Sequence, residues 1–160
     1  MQQGVTLTKE QTFQKLKQYC SYQERCHSEA REKAWSLGLR KTDAEELVSR
    51  LIEEDSLNEE RFAKLFAGGK FRMKQWGRAK IRHELKQRKI SEYCISKALK
   101  EIDEKEYLQI LGKLAKKKWG SIRGIGVNQF VKMTKTRNFL LQKGFESELI
   151  QRTISGLIKK

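Results

Sequence analysis

Apolar positions recur along this chain in a four-point frame that occurs three times, with successive intervals of 5, 5 and 4 residues. The copies are Ala34, Leu39, Ala44, Val48; then Leu85, Ile90, Ile95, Leu99; then Leu140, Phe145, Ile150, Ile154. The second point of the frame shifts by 51 residues from the first copy to the second and by 55 from the second to the third. A basic residue stands three positions before each frame, as Arg31, Arg82 and Arg137. Self-similarity at a period near 50 residues marks a repeat architecture, in which a unit too small to bury its own apolar face stacks on its neighbours. Such arrays offer an extended surface, which suits a long partner.

Between these anchors the periodicity is helical, and a chain with no proline can run in unbroken helices. No segment alternates as a strand does. Thr8 with Gln11 forms a capping-box pattern that starts a first helix at Lys9 and carries it to Gln23. A second is expected from Ser28 to Leu37, with Gly38 as its C-terminal cap, and a third from Thr42 or Asp43 to Glu54. Asn58 caps a fourth that extends to Met73, Trp76-Gly77 leads into a fifth over Arg78 to Arg88, and Ser91 caps a sixth that ends at Ile102. The third copy repeats the order: Asp103 to Trp119, a Gly-rich loop over 120–127, then Asn128 to Lys143 and Glu146 to Ile158. The expected organisation is all-α, with a flexible N-terminus at 1–8 and three-helix repeats at 9–57, 58–102 and 103–160.

Charge changes the picture next. The 160 residues carry 35 Lys and Arg against 20 Asp and Glu, a net of +15, which calls for a polyanion or an acidic protein surface as partner. The excess is uneven. From Lys70 to Lys89 nine basic residues meet one acid, Glu84, whereas Asp43 to Glu60 holds eight acids against Arg50. The basic segment occupies several helical faces and contains Trp76, so Lys70, Arg72, Lys74, Trp76, Arg78, Lys80, Arg82, Arg88 and Lys89 are the candidate contacts to phosphates or to an acidic groove. Lys116, Lys117, Lys118 and Arg123 extend the candidate surface; a solvated helix end explains that run equally well. Arg31, Arg82 and Arg137 equally fit a recurrent ion pair between helices, and Trp76 fits a packing residue at the start of a helix better than a stacking platform.

Chemistry-bearing patterns are sparse. Cys20, Cys26, His27, His83 and Cys94 lack the close pairings of a zinc site, and Cys20 falls on the apolar stripe of its helix. With two histidines, no Gly-x-Ser-x-Gly and no P-loop, neither a nucleophilic triad nor an ATP site assembles, and Gly124-Ile125-Gly126 lacks the third glycine and preceding strand of a dinucleotide site. No catalytic residue, metal or cofactor is expected. An enzyme built on Cys26 and His27 would need a lowered thiol pKa. No apolar run is long enough for a membrane span, no signal peptide is visible, and three cysteines fit a reducing compartment, so a cytoplasmic monomer is expected.

Two stretches resemble the RecX family of regulatory proteins. Tyr19, Cys20, Ser21, Glu24, Arg25 and Glu29 match its Tyr-Cys-Ser-x-x-Glu-Arg-x-x-x-Glu signature. Glu60-Arg61-Phe62-Ala63, Trp76-Gly77, and Ile81, Arg82, Glu84 and Leu85 through Ile90 and Ser91 continue the likeness. With the repeat frame, it spans roughly residues 9 to 158. The Gly-rich loop 120–127 is longer than the family pattern. The resemblance implies three three-helix modules in an elongated, curved array, and a non-catalytic protein that binds the RecA recombinase filament on DNA and restrains its ATPase, co-protease and strand-exchange activities. Single- and double-stranded DNA, bound without sequence preference, are the further partners it implies. A helix-turn-helix DNA reader is the rival reading, disfavoured because the third helix of the first unit is acidic and that of the second nearly balanced.

Overall fold

The computed structural model describes residues 6–159; of the flexible N-terminus expected at 1–8, residues 1–5 lie outside them. Among the described residues are nine α-helices and no strand. They are α1 (Lys9–Tyr22), α2 (His27–Ser36), α3 (Lys41–Glu53), α4 (Glu59–Gly69), α5 (Arg78–Gln87), α6 (Glu92–Lys100), α7 (Glu104–Ser121), α8 (Gln129–Lys143) and α9 (Ser147–Ile158). They group as three tandem three-helix repeats.

The frame has a local cause. Its first interval closes the C-terminus of the middle helix of each unit: the amides of Leu39, Ile90 and Phe145 donate to the carbonyls of Ala34, Leu85 and Leu140 at 3.2, 3.1 and 3.1 Å. That six-to-one bond defines a Schellman turn, which needs a left-handed residue just before its last member. Gly38 (φ 95°), Lys89 (φ 60°) and Gly144 (φ 97°) supply it. The second interval runs from the residue before each N-cap to the fourth residue of the next helix, the two ends of a hydrophobic staple around Arg40, Ser91 and Glu146. The last interval is one helical turn. All twelve positions except Leu39, which is partly exposed, are buried.

Three expectations shift. The staple places the N-cap of α3 at Arg40, ahead of Thr42 and Asp43, and Asp43 falls in the first turn, where an acid suits the dipole. The fourth helix gives way after Gly69 to a wide π turn over Lys70–Lys74, closed by Gln75 in the left-handed region (φ 57°). The third-unit helix α7 continues through Gly120 to Ser121, so the open segment is shorter than 120–127. Helix α8 starts 12 residues before its frame instead of the eight that separate Cys26 and Gly77 from theirs, adding about one turn.

The units are coupled unequally. Phe13, Leu16, Cys20, Ala34, Leu47 and Leu51 form a core belonging to the first unit. Phe71, Leu85, Ile95, Tyr107, Leu111, Leu140, Phe145 and Ile150 form one core shared by the second and third, and Cys26 is the first unit's contribution to it. At the joint of the second and third units, the amides of Gly77 and Ala79 donate to the carbonyls of Lys143 and Gly144 at 2.8 and 2.9 Å. A Cβ on Gly77 would lie 2.3 Å from the Gly144 carbonyl group, so only glycine fits. Beside it, Tyr107 packs between Phe71 and Phe145. Its hydroxyl accepts from the Arg78 amide at 3.1 Å and donates to Glu146.

Candidate functional site

The first unit, residues 9–57, has nine Lys and Arg against ten acids; residues 58–102 have thirteen against five, and residues 103–160 thirteen against five. The net charges are −1, +8 and +8, so the third unit is as basic as the second. In the first unit the cations are used internally. Lys9 pairs with Asp43 (3.7 Å) and Glu46, Lys17 with Glu54 (3.2 Å) and Arg50 with Glu10 (3.2 Å), tying α1 to α3, and Arg31 pairs with Glu45 (2.6 Å), tying α2 to α3. Exposed pairs of this kind stabilise little individually, but they leave that surface close to neutral. Among the described residues of the third unit, by contrast, no Lys or Arg pairs with a carboxylate.

The candidate residues of the middle unit divide into two sets. Arg78 is structural: it pairs with Glu146 (2.6 Å) and Glu104 and lies 3.8 Å over the Tyr107 ring. Arg82 pairs with Glu92, and Arg88 with Glu84 at 3.2 Å while covering Phe66. The recurrent arginine therefore makes an interhelical ion pair in the first two units; Arg137 is exposed and has no carboxylate partner among the described residues. Trp76 packs edge-on to Phe66 and carries the ammonium groups of Lys70 (5.1 Å) and Lys80 (4.6 Å) over its ring. It is a packing residue whose surface is already held by cations. The second set, Lys70, Arg72, Lys74, Lys80 and Lys89, has no carboxylate partner among the described residues.

A residue of the third unit completes this set. Lys143, at the end of α8, reaches across the joint and donates to the Lys74 carbonyl at 2.8 Å. Partial burial, followed by the like charges of Lys80 and Lys74, pulls its ammonium below the ordinary lysine value. Three cations thus converge where the second and third units meet, held by the Gly77–Gly144 contact. Sequence reading misses Lys143 because it lies 63 positions from Lys80; its one local signal is the adjacent Gly144. In the third unit Lys116 and Lys117 are exposed, Lys118 covers Phe139 at 5.2 Å, and Arg123 donates to the Gly120 carbonyl at 3.0 Å. Lys132 covers Trp119 at 5.6 Å.

The signature residues of the first unit are structural in this geometry. Arg25 stacks 3.8 Å over the Tyr19 ring, donates to the Tyr19 carbonyl and faces Glu29, closing the α1–α2 connection. Cys20 is in the core and Ser21 donates to the Gln18 carbonyl. Glu24 accepts from Arg61 at 2.5 Å across the first joint, Arg61 also grips Asp55, and Phe62 is buried behind it. Burial pushes the Cys20 thiol up to about 11 and raises Cys26, the direction opposite to an activated thiolate.

The chain is thus an all-α regulatory-type scaffold whose elements repeat and whose free charge lies on its second and third units. Residues 58–99 match the family model for the second three-helix domain of RecX and residues 104–154 that for the third. The regulatory protein RecX of Chlorobium phaeobacteroides is 30% identical over 112 residues, covering 70% of each chain, and that of Prosthecochloris aestuarii is 29% identical over 140 residues, covering 88% of this chain and 89% of the relative. The chain spans 58% and 55% of the RecX proteins of Clostridium tetani and Clostridium perfringens. The crystal structure of RecX from Lactobacillus salivarius superposes with a TM-score of 0.83 at 24% identity, over 95% of this chain and 97% of that one. This chain belongs to the RecX family.

Proposed function

We propose that this chain is a non-catalytic regulator that binds the RecA recombinase filament on DNA and restrains its activity. The observation that carries the reading is the division of charge: a self-neutralised first unit beside two units of +8 each, whose open lysines gather at Lys74, Lys80 and Lys143. A surface of uncompensated ammonium groups on a fixed scaffold suits phosphates and acidic protein walls, both of which a nucleoprotein filament presents. The paired arginines Arg78, Arg82 and Arg88 position that surface without forming it. Lys70, Lys116, Lys117 and Arg123 extend it along the array.

The test is the DNA-stimulated ATPase of the cognate RecA, titrated with the chain and with a Lys74→Glu, Lys80→Glu, Lys143→Glu variant. The natural chain suppresses turnover, and the variant needs at least about tenfold more protein, since each lost phosphate contact flattens the salt dependence by about 0.7–0.9 in log–log slope. Suppression at low ratios to RecA identifies blocked filament growth; suppression only near stoichiometry identifies coating of the groove. An unaffected ATPase together with retained, salt-sensitive binding to naked oligonucleotides would replace this reading with that of a non-specific DNA-binding protein.

A further inference from the structure

His27 and Arg78 occupy the same place in successive units, each seven residues before its frame and first in its helix. Their surroundings also correspond. Glu59 and Glu104 directly follow the N-caps Asn58 and Asp103 of the next unit's first helix, Phe62 and Tyr107 lie three residues further on, and Ser91 and Glu146 are the N-caps of that unit's last helix. At the second joint the guanidinium, charged at every physiological pH, meets two carboxylates, Glu104 and Glu146, and stacks on Tyr107.

The first joint keeps the plan and changes the charge balance. Serine replaces the second carboxylate, and the first one is occupied: Glu59 accepts from the Ser91 amide at 2.9 Å. The Nε2 of His27 is buried without a hydrogen-bond partner. The charged groups acting on the ring are Glu59 from α4, Glu45 from α3, and Arg31 from its own helix. Glu24, in the same joint, is engaged by Arg61.

We infer that the joint between the first and second units is a proton-sensitive hinge: neutral His27 closes it, and protonation of His27 loosens it while the joint at Arg78 stays shut. Putting a second positive charge beside Arg31, in a half-buried site with one shared carboxylate, is unfavourable, and the ring can shed that cost by swinging into water. The sign follows from burial, which is the leading influence and lowers the His27 pKa from 6.5. A histidine depressed in the closed state contributes its full stabilisation above the pKa of the free ring and loses it as pH falls through the depressed value. The first unit, with its own core, can then move while the shared core of the other two remains intact.

The experiment is hydrogen exchange of the full chain between pH 7.5 and 5.0, corrected for intrinsic rates, reading peptides at 26–36 and 57–63 against peptides at 77–81 and 143–147. Protection at the first joint is expected to fall about tenfold relative to the second, the size of one pKa unit of linkage. His27→Gln and His27→Phe both abolish the fall, and His83→Gln, which alters the other histidine, retains it. Circular dichroism identifies whether either His27 variant is folded, and either one suffices. No fall in the natural chain, an equal fall at both joints, or a fall that persists in a folded His27 variant overturns the hinge.

Discussion

Gly77 and Gly144 lie backbone to backbone where the second and third units meet, and the residues at these two positions in the first joint, counted from the frame, are Cys26 and Lys89. The glycine pair lets two amides reach two carbonyls of the neighbouring unit. Where side chains stand instead, Ser28 Oγ donates to the Arg88 carbonyl at 3.2 Å, and Arg61 reaches Glu24. Repetition of a unit therefore does not imply repetition of its coupling. Two absent Cβ atoms separate a joint with shared backbone bonds and a common core from one held by side chains.

The largest effect expected from breaking this contrast is that of Gly144→Ala. A Cβ there would lie 2.3 Å from the Lys80 Cβ and must also adopt φ 97°, so the loss should be about 3 kcal/mol from strain and overpacking combined. Gly38→Ala has the same backbone strain (φ 95°) in open space and should lose about 1 kcal/mol. Urea unfolding of the pair separates joint from turn, and equal losses would show that the close contact contributes nothing. Smaller is Tyr107→Phe, which makes the second joint resemble the first, where Phe62 stands. Removing a hydroxyl between Arg78 and Glu146 should cost about 2 kcal/mol, seen as a lower Tm. An unchanged melt would mean that ring packing alone holds this corner. The smallest effect has the opposite sign. Lys89→Gly relieves a left-handed lysine (φ 60°) and should stabilise by up to about 1 kcal/mol, provided its ammonium has no other role.

How much was legible in the chain follows from the range of each interaction. The frame was readable because each interval is a local bond or staple closed within five residues, and Thr8, Asn58, Ser91 and Gly38 act as caps through their own chemistry. Arg40 as the N-cap of α3 was missed because the staple, and not a capping side chain, sets that position. The π turn at Lys70–Lys74 leaves no mark in composition. The candidate surface was half legible: the density of Lys and Arg is visible, but which of them are neutralised depends on Glu92, Glu104 and Glu146, and Glu146 lies 68 positions from Arg78. The same distance hides the contribution of Lys143.

The bonds of the second joint also set an order of events. Each Schellman turn closes over five residues, a step that costs little chain entropy, whereas the bonds from Gly77 to Lys143 and from Ala79 to Gly144 close loops of 66 and 65 residues. During synthesis the amides of Gly77 and Ala79 emerge long before their acceptors exist. The middle unit must therefore wait, its apolar face unsealed, until the last third of the chain has left the ribosome and wound its own turn around Gly144.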